Sequence, residues 1–505
     1  MRSKNAIRNL TWYLAYEAIA FTLGVVFPHF LIKIYGSEIN GLTSTITRVL
    51  ALINLIQAGA VGAAIYQMYK PVAEGDYETQ SSIILSSKRF YNKISIIFFL
   101  CSLAAGLFYS FYIKSDVLKW WEILISFLIL SANGAAALLI TSISDIFLSP
   151  HQKKYYLIIS QFFNLIVHYG LLVIVLIMKL HFVFIYVSIL AGGCINILLN
   201  YVFYKKHSKN KITNHPINKN YIIPNKKYLM LQCIGEQAIT AAPTIIITTI
   251  LGLSFSSVFS IYFLVFTSVK TILSSIQLSF SAIFGNLVKT SSNDKIYRVY
   301  DCIELITILL GTIAAASVGF LIMPFIGLYT SGVNDINYLY PLLGIFTAIY
   351  VIVFAFRTSF SYVATVYGLF KKTCYITLFC SIIGIGTSIL GVYLFGMPFA
   401  MIGLLLNELV ASIATIYVLR KNVPWFNTKK LFFRTLLMIT IAVLSIKLYF
   451  SFYPSINDWF AWIAYAFLIV FAVSIILLFY CLFFEGNSVQ MFLNYLKNIF
   501  NKKKE

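Results

Sequence analysis

The sequence places charged side chains inside long apolar stretches, where an ionisable group needs a cavity, a partner or a function. Ten such side chains are Glu17, Arg48, Asp145, Glu236, Lys270, Asp301, Glu304, Arg357, Glu408 and Lys447. If these stretches cross a bilayer, each charge costs about 2.5–3.5 kcal/mol or more at the membrane centre. They are therefore the first candidates for binding or coupling.

Arg48 and Lys270 are the clearest pair of cations. They lie 222 positions apart, in the second apolar stretch of each half of the chain. Two cations facing one cavity would suit an anion, most naturally a diphosphate, because arginine offers a two-pronged donor and lysine a point charge. The alternative is that each neutralises a nearby carboxylate.

Three further polar side chains could contact the same substrate. Arg357 could bind it, or could pair with Asp145 or Glu408. Gln57 and Gln277 lie deeper along the stretches that carry the cation pair. Their amides could bind sugar hydroxyls, although a hydrogen bond between helices is the commoner use.

Three carboxylates, Glu17, Glu236 and Asp145, are candidates for ion coupling. Glu17 lies nine residues beyond Arg8, which is about 13 Å of helix rise and reaches into a bilayer. These groups could take up H⁺ or Na⁺, or could pair with the cations. We predict no cofactor and no metal site, because the seven cysteines lie in apolar stretches without metal-ligand spacing.

Other charges favour structural roles. Asp301 and Glu304 lie close to Arg298, so we interpret them as an interfacial cluster. Lys447 lies near the end of an apolar stretch and can extend its ammonium group to the membrane surface.

The composition identifies the elements that must position these residues. About 60% of the 505 residues are apolar and 11% are charged, where a soluble domain has roughly a quarter charged. The apolar runs fall at 10–32, 42–66, 92–113, 122–148, 155–178, 182–204, 229–251, 256–288, 299–323, 338–366, 373–395, 398–419, 431–452 and 459–483. We therefore predict an all-α polytopic membrane protein with fourteen transmembrane helices.

The net charge of +21 is mainly an orientation signal. Alternate connections between the runs carry 30 basic residues, and the opposite connections carry four. By the positive-inside rule both termini are predicted to be cytoplasmic.

The chain also contains signs of a duplication. Glu17 and Glu236 lie 219 positions apart, and the dilysines at 153–154 and 371–372 lie 218 apart. We predict two six-helix lobes, 1–204 and 229–421, related by a pseudo-two-fold axis along the membrane normal. A basic cytoplasmic linker, 205–228, joins them, and 422–505 adds two helices and a basic tail.

Prolines inside the first helix of each predicted lobe, Pro28 and Pro243, are candidate hinges. Proline removes a backbone donor and bends a helix. A static kink absorbed by packing is the alternative.

The stretch "SKNAIRNLTWYLAYEAIAFTLGVVFPHFLIKIYGSEINGLTSTI", with "AGAVGAAIYQMYKPVAEGD" and "GNLVKTSSND", resembles polysaccharide-repeat flippases. These are the Wzx-like oligosaccharide exporters of the multidrug/oligosaccharidyl-lipid/polysaccharide (MOP) superfamily. The resemblance covers the whole chain, including the fourteen helices.

The resemblance implies a transporter, not an enzyme, in the bacterial cytoplasmic membrane. Such proteins move a polyprenyl-diphosphate-linked oligosaccharide from the inner to the outer leaflet by alternating access through a central cationic cavity, driven by an H⁺ or Na⁺ gradient or the membrane potential. The related lipid II flippase has cavity cations on helices one, two and eight. Arg48 and Lys270 match the last two, whereas helix one offers Glu17, which favours a different sugar headgroup.

Two other functions remain open. A cation-coupled multidrug antiporter of the same superfamily would need an acid-lined cavity. A membrane polysaccharide polymerase would need a sizeable external loop, and the longest external connection, 325–337, holds only Asp335 as a charged group. We expect a monomer that contacts membrane lipids and binds no nucleic acid; association with polysaccharide assembly proteins stays open.

Overall fold

The computed structural model describes residues 2–57, 59–113, 115, 117–209, 226–452 and 456–486. Most of the predicted basic linker at 205–228, and the basic tail after 486, lie outside these residues. Throughout the described part, the secondary structure is helical.

Fifteen α-helices run through the described ranges. They are α1 Arg2–Tyr35, α2 Ser37–Ile53, α3 Ala60–Glu74, α4 Tyr77–Tyr112, α5 Trp120–Leu148, α6 Tyr155–Ile177, α7 Val183–Ser208, α8 Lys226–Leu251, α9 Leu253–Thr290, α10 Asn293–Tyr329, α11 Pro341–Val366, α12 Phe370–Phe395, α13 Ala400–Asn422, α14 Lys429–Phe452 and α15 Trp459–Phe484. Short 3₁₀ turns at Asn54–Gln57 and Met397–Phe399 extend α2 and precede α13. Fourteen spans within these residues are long and apolar enough to cross a membrane, which confirms the predicted all-α fold and span count.

The second predicted helix, 42–66, is wrong as a single element. Helix α2 ends at Ile53, the 3₁₀ turn follows, and Gly59 adopts φ 73°, so that α3 begins at Ala60. This left-handed backbone conformation is low in energy mainly for glycine. It breaks the helix although the apolar composition continues. The membrane span therefore ends at Gln57.

The third predicted helix begins too late. Helix α4 starts at Tyr77, not near residue 92, because Asp76 caps it by accepting hydrogen bonds from the backbone N–H groups of Glu78 and Thr79. The basic residues before 92 are consequently helical and extend α4 beyond the apolar run.

Two compact units divide the chain, Met1–Ser257 and Val258–Glu505, with the boundary inside α9. This division reflects which residues pack together and does not compare the two halves with each other. The predicted duplication into lobes 1–204 and 229–421 therefore stays a prediction.

In the first unit, small polar residues hold α2 against α8 and the start of α9. The Thr45 hydroxyl lies 2.6 Å from that of Thr248, and the Asn40 amide donates to the Ser257 hydroxyl at 2.8 Å. Gly41 packs against the backbone carbonyl of Leu253, where a Cβ would clash. Leu42 and Ile46, one turn apart on α2, are fully buried. Helix α2 is therefore fixed along one side.

In the second unit, α10 is largely buried and packs against α11, α14 and α15. Gly311 of α10 permits close contact with Ala355 of α11. The Tyr262 hydroxyl of α9 donates to the carbonyl of Tyr338 and accepts from the backbone N–H of Tyr340, both at 3.0 Å. These contacts position α9 and α11, which carry Lys270 and Arg357.

Candidate functional site

Lys270 lies on α9 between two aromatic rings. Its Nζ atom is 5.9 Å from the ring centroid of Phe266 and 5.5 Å from that of Phe354 on α11. Phe266 is in turn packed edge-on against Tyr350, with centroids 4.2 Å apart. The ring faces attract the ammonium group electrostatically. Within the described residues, Lys270 makes no ion pair with a carboxylate.

Arg357 lies three residues after Phe354, on the same face of α11, and forms an ion pair with α13. Its Nη1 donates to Glu408 Oε2 at 2.7 Å, and the Tyr350 hydroxyl donates to Glu408 Oε1 at 3.2 Å. Glu408 is 5% exposed. Of the alternatives for Arg357, the structure shows the pair with Glu408, while its role toward a substrate stays a prediction.

We call Phe266, Lys270, Phe354, Arg357 and Glu408 the α9–α11–α13 cluster. Its formal charge is +1, because it contains two cations and one carboxylate. The cluster lies within three membrane spans, so a bound anion would complete its charge balance. This arrangement suits an anionic group.

Gln277 lies farther along α9. Its Nε2 donates to the Ser361 hydroxyl of α11 at 2.9 Å. The structure thus shows the bond between helices that was one of the two alternatives for this amide. Contact with a sugar stays a prediction.

Arg48 and Gln57 belong to the first unit. Arg48 lies within α2, is partly buried, and belongs to the Ser37–Gln57 span. Gln57 ends the 3₁₀ turn, and its Nε2 donates to Asn54 Oδ1 at 2.8 Å. The side-chain amide oxygen of Gln57 is buried and has no hydrogen-bond partner within the part of the chain that the structure describes. The substrate roles of Arg48 and Gln57 stay predictions.

The coupling candidates occupy three separate helices. Glu17 of α1 is partly buried beside the phenols of Tyr13 and Tyr16. Glu236 of α8 is exposed and accepts a hydrogen bond from Gln232 Nε2 at 3.1 Å. Their roles in coupling stay predictions.

Asp145, the third coupling candidate, lies in the last turn of α5. It accepts a short hydrogen bond from the Ser149 hydroxyl, and Tyr91 of α4 lies close to it. Across the described ranges, no group of three or more His, Cys, Asp or Glu side chains could hold a metal ion.

The prolines do not interrupt their helices. Pro28 lies inside α1 and Pro243 inside α8, and both helices continue past them. A hinge at either position stays a prediction.

The sequence interpretation missed a buried charge network centred on Arg434 of α14. Arg434 is 1% exposed, and its guanidinium lies 2.9 Å from Asp301, 2.8 Å from Glu304 and 2.7 Å from Glu485. Lys430 adds a contact with Asp301 at 3.0 Å. These pairs join α10, α14 and the end of α15.

Asp301 and Glu304 therefore have α14 partners, whereas the sequence suggested Arg298. In the sequence, Arg434 belongs to the basic residues around a connection, which report orientation. The available signal was its position five residues inside a long apolar helix, where an arginine needs anionic partners.

The chain matches no protein-family model and no curated protein. Among solved structures, the lipid II flippase MurJ in an inward closed conformation has a TM-score of 0.65 and 15% identity, covering 93% of this chain and 99% of that chain. An inward-facing multidrug resistance MATE family transporter of the MOP superfamily has a TM-score of 0.61 and 12% identity, covering 83% and 99%.

A third similar structure is a MOP superfamily transporter from Pyrococcus furiosus, described by the reverse polarity of its binding pocket. It has a TM-score of 0.51 and 11% identity, covering 84% of this chain and 94% of that chain. At these identities the similarities show the fold alone. The structural neighbours are MOP superfamily transporters, and this chain shares their fold.

Proposed function

We propose that the protein is a flippase for a polyprenyl-diphosphate-linked oligosaccharide in a bacterial cytoplasmic membrane. It moves the headgroup from the inner to the outer leaflet by alternating access, while the lipid tail stays in the bilayer. A Wzx-like role of this kind is one of the functions carried by the MOP transporter fold.

Lys270 is the observation that carries the proposal. It is held inside a membrane span by Phe266 and Phe354 rather than by a carboxylate of the described residues. A cation in that environment is costly unless an anion joins it. The diphosphate of a lipid carrier supplies such an anion, and the lipid itself explains why the site lies in the membrane.

Arg48 supports the same substrate from the first unit. Its guanidinium can donate two parallel hydrogen bonds to one phosphate, while the Lys270 ammonium acts as a point charge. We therefore assign Arg48 and Lys270 to the diphosphate. Arg357 is less suited to this role, because its Nη1 already donates to Glu408.

A cation-coupled multidrug antiporter is the second candidate. The similarity to MATE structures and the carboxylates Glu17 and Glu236 favour it. The charge of the α9–α11–α13 cluster argues against it, because a cationic drug would meet a net charge of +1. The same two glutamates serve a flippase equally well as H⁺ or Na⁺ coupling groups.

Transport by purified protein in proteoliposomes separates the two candidates. One sample contains a fluorescent polyprenyl-diphosphate oligosaccharide and receives an impermeant quencher. The other carries a cationic dye with an imposed H⁺ or Na⁺ gradient. We expect quenching of the inner-leaflet label at a rate well above that of protein-free vesicles, and no dye extrusion. Dye extrusion without lipid movement would overturn the proposal.

A further inference from the structure

A cavity in the first unit lies between α2, its 3₁₀ turn, α4 and α5. Its volume is about 360 Å³, at the lower end of the range of small-molecule sites, roughly 300–1,000 Å³. The polar residues that line it are Thr47, Asn54, Gln57, Thr141 and Ser142. The cavity has room for a sugar ring rather than for an oligosaccharide.

Two buried polar side-chain atoms of this lining have no hydrogen-bond partner among the described residues. They are the carbonyl oxygen of Gln57 and the hydroxyl oxygen of Thr141. The Gln57 amide donates to Asn54, so its carbonyl oxygen is left as an acceptor. Because an unpaired buried acceptor is costly, a ligand that donates hydrogen bonds is favoured.

The remaining polar groups also suit hydroxyls. The Thr47 hydroxyl donates to the carbonyl of Thr43 at 2.8 Å, so its oxygen can still accept. Thr47 and Asn54 are exposed in the first unit. A ligand can therefore meet acceptors on α2 and its 3₁₀ turn, and the hydroxyl of Thr141 on α5.

One wall of the cavity is aromatic. Phe98 of α4 is 3% exposed and lines the cavity beside Gly134 of α5. A Cβ at Gly134 would lie 2.8 Å from the Phe98 ring, so only glycine lets the ring approach α5 this closely. A flat apolar surface beside convergent polar groups matches a sugar ring, which has C–H faces and hydroxyl edges.

The lining residues of this cavity carry no charge. The nearest acidic residue along α5 is Asp145, four positions after Thr141. A sugar carboxylate would lose its hydration here without gaining a cation from the lining. The cavity therefore favours an uncharged sugar.

The cavity also lies along the helix that carries Arg48. Thr47 is adjacent to Arg48, and Asn54 lies six residues farther on, which is about 9 Å of helix rise. Arg48 itself does not line the cavity, so a headgroup whose diphosphate contacts Arg48 reaches the cavity by extending along α2.

We propose that this cavity is a subsite for one uncharged sugar ring of the transported headgroup. The proposal rests on the proposed function and adds the chemistry of the sugar. It makes the protein selective for headgroups with a neutral sugar at this position.

Two probes test the selectivity, polyprenyl-diphosphate-glucose and polyprenyl-diphosphate-glucuronic acid with the same lipid and label. In proteoliposomes we expect the wild-type protein to move the glucose probe at least tenfold faster. Equal rates for the two probes would overturn the subsite. If the labelled oligosaccharide moves but neither probe does, the subsite fails while the proposed function stands; if none of the three lipids moves, both fail.

Variants locate the selectivity in the cavity. We expect Gln57→Leu and Thr141→Val to slow the glucose probe about tenfold and to leave the glucuronic acid probe unchanged. Thr440→Val is the matched control, because its hydroxyl donates to the carbonyl of Leu436 within α14, away from the cavity lining. Equal slowing of both probes by the cavity variants, with unchanged Tm, would contradict a subsite that selects a neutral sugar.

Discussion

At the scale of single residues, the charges of the second unit differ in how they are balanced. Arg357 has Glu408 as its ion-pair partner, whereas the Lys270 ammonium group lies near the rings of Phe266 and Phe354. A paired charge contributes mainly to the folded structure, and an aromatic-held charge remains available to an anion. The two cations of one cluster therefore have different consequences when removed.

The Arg357–Glu408 pair predicts a stability cycle. Arg357→Met or Glu408→Leu alone leaves a buried charge without its partner and should cost about 3–5 kcal/mol. The double variant removes both charges and should recover most of that loss. Thermal unfolding in detergent measures the cycle, and additive losses in the double variant would contradict the pairing.

The predicted coupling carboxylates lead to a second test. We expect Glu17→Gln and Glu236→Gln to reduce gradient-driven lipid movement, because a neutral amide does not exchange a proton. Movement without a gradient should be unaffected. Glu74→Gln, at an exposed position on α3, is the control. Unchanged dependence on H⁺ and Na⁺ in both variants would remove these residues as coupling groups.

At the scale of helices, the apolar pattern shows where each helix lies in the sequence. Close contacts and buried charges determine which helices pack against each other. Gly403 of α13 lies against the Gly384 carbonyl and the Ser388 hydroxyl of α12. Arg434 joins α14 to both α10 and α15. Such contacts depend on residues far apart in the sequence.

The α12–α13 contact gives a prediction with an internal control. Gly403→Ala should lower the Tm, because its methyl group would clash with backbone atoms of α12. Gly386→Ala on α12 has open space around the new methyl group and should be neutral or stabilising by up to about 1 kcal/mol. Equal Tm values for the two variants would contradict the close approach of the helices.

The Arg434 network predicts that the last two helices depend on one side chain. Arg434→Ala removes the ion-pair partner that Asp301, Glu304 and Glu485 share and should cost about 3–5 kcal/mol. Arg420→Ala, an exposed arginine at the end of α13, should change the Tm little. Proteolysis should cleave the Arg434→Ala variant faster at α14 and α15, and unchanged proteolysis would contradict this anchoring role.

At the scale of the whole chain, the sequence predicted the all-α class and the fourteen spans, because apolar runs of sufficient length report membrane helices directly. It missed the break at Gly59, since a single left-handed glycine changes no composition. It also missed the Arg434 network, because a charge near a helix end resembles an orientation signal.

The candidate site was predictable only in part. Residue types indicated that Lys270 and Arg357 need partners, but the choice between Asp145 and Glu408 depends on packing. The aromatic setting of Lys270 was not evident, because phenylalanines are frequent throughout this chain. The neutral cavity near Gln57 lies beside the helix break, which the apolar pattern did not reveal.

Lipid movement by an Arg48→Ala/Lys270→Ala double variant tests the central claim most directly. The measurement follows quenching of a labelled polyprenyl-diphosphate oligosaccharide in proteoliposomes, with Lys447→Ala as a control that removes an exposed lysine from α14. We predict that the double variant folds with near-normal Tm but moves lipid no faster than empty vesicles, whereas the control moves it normally. Normal movement by the double variant would contradict diphosphate recognition by this cation pair.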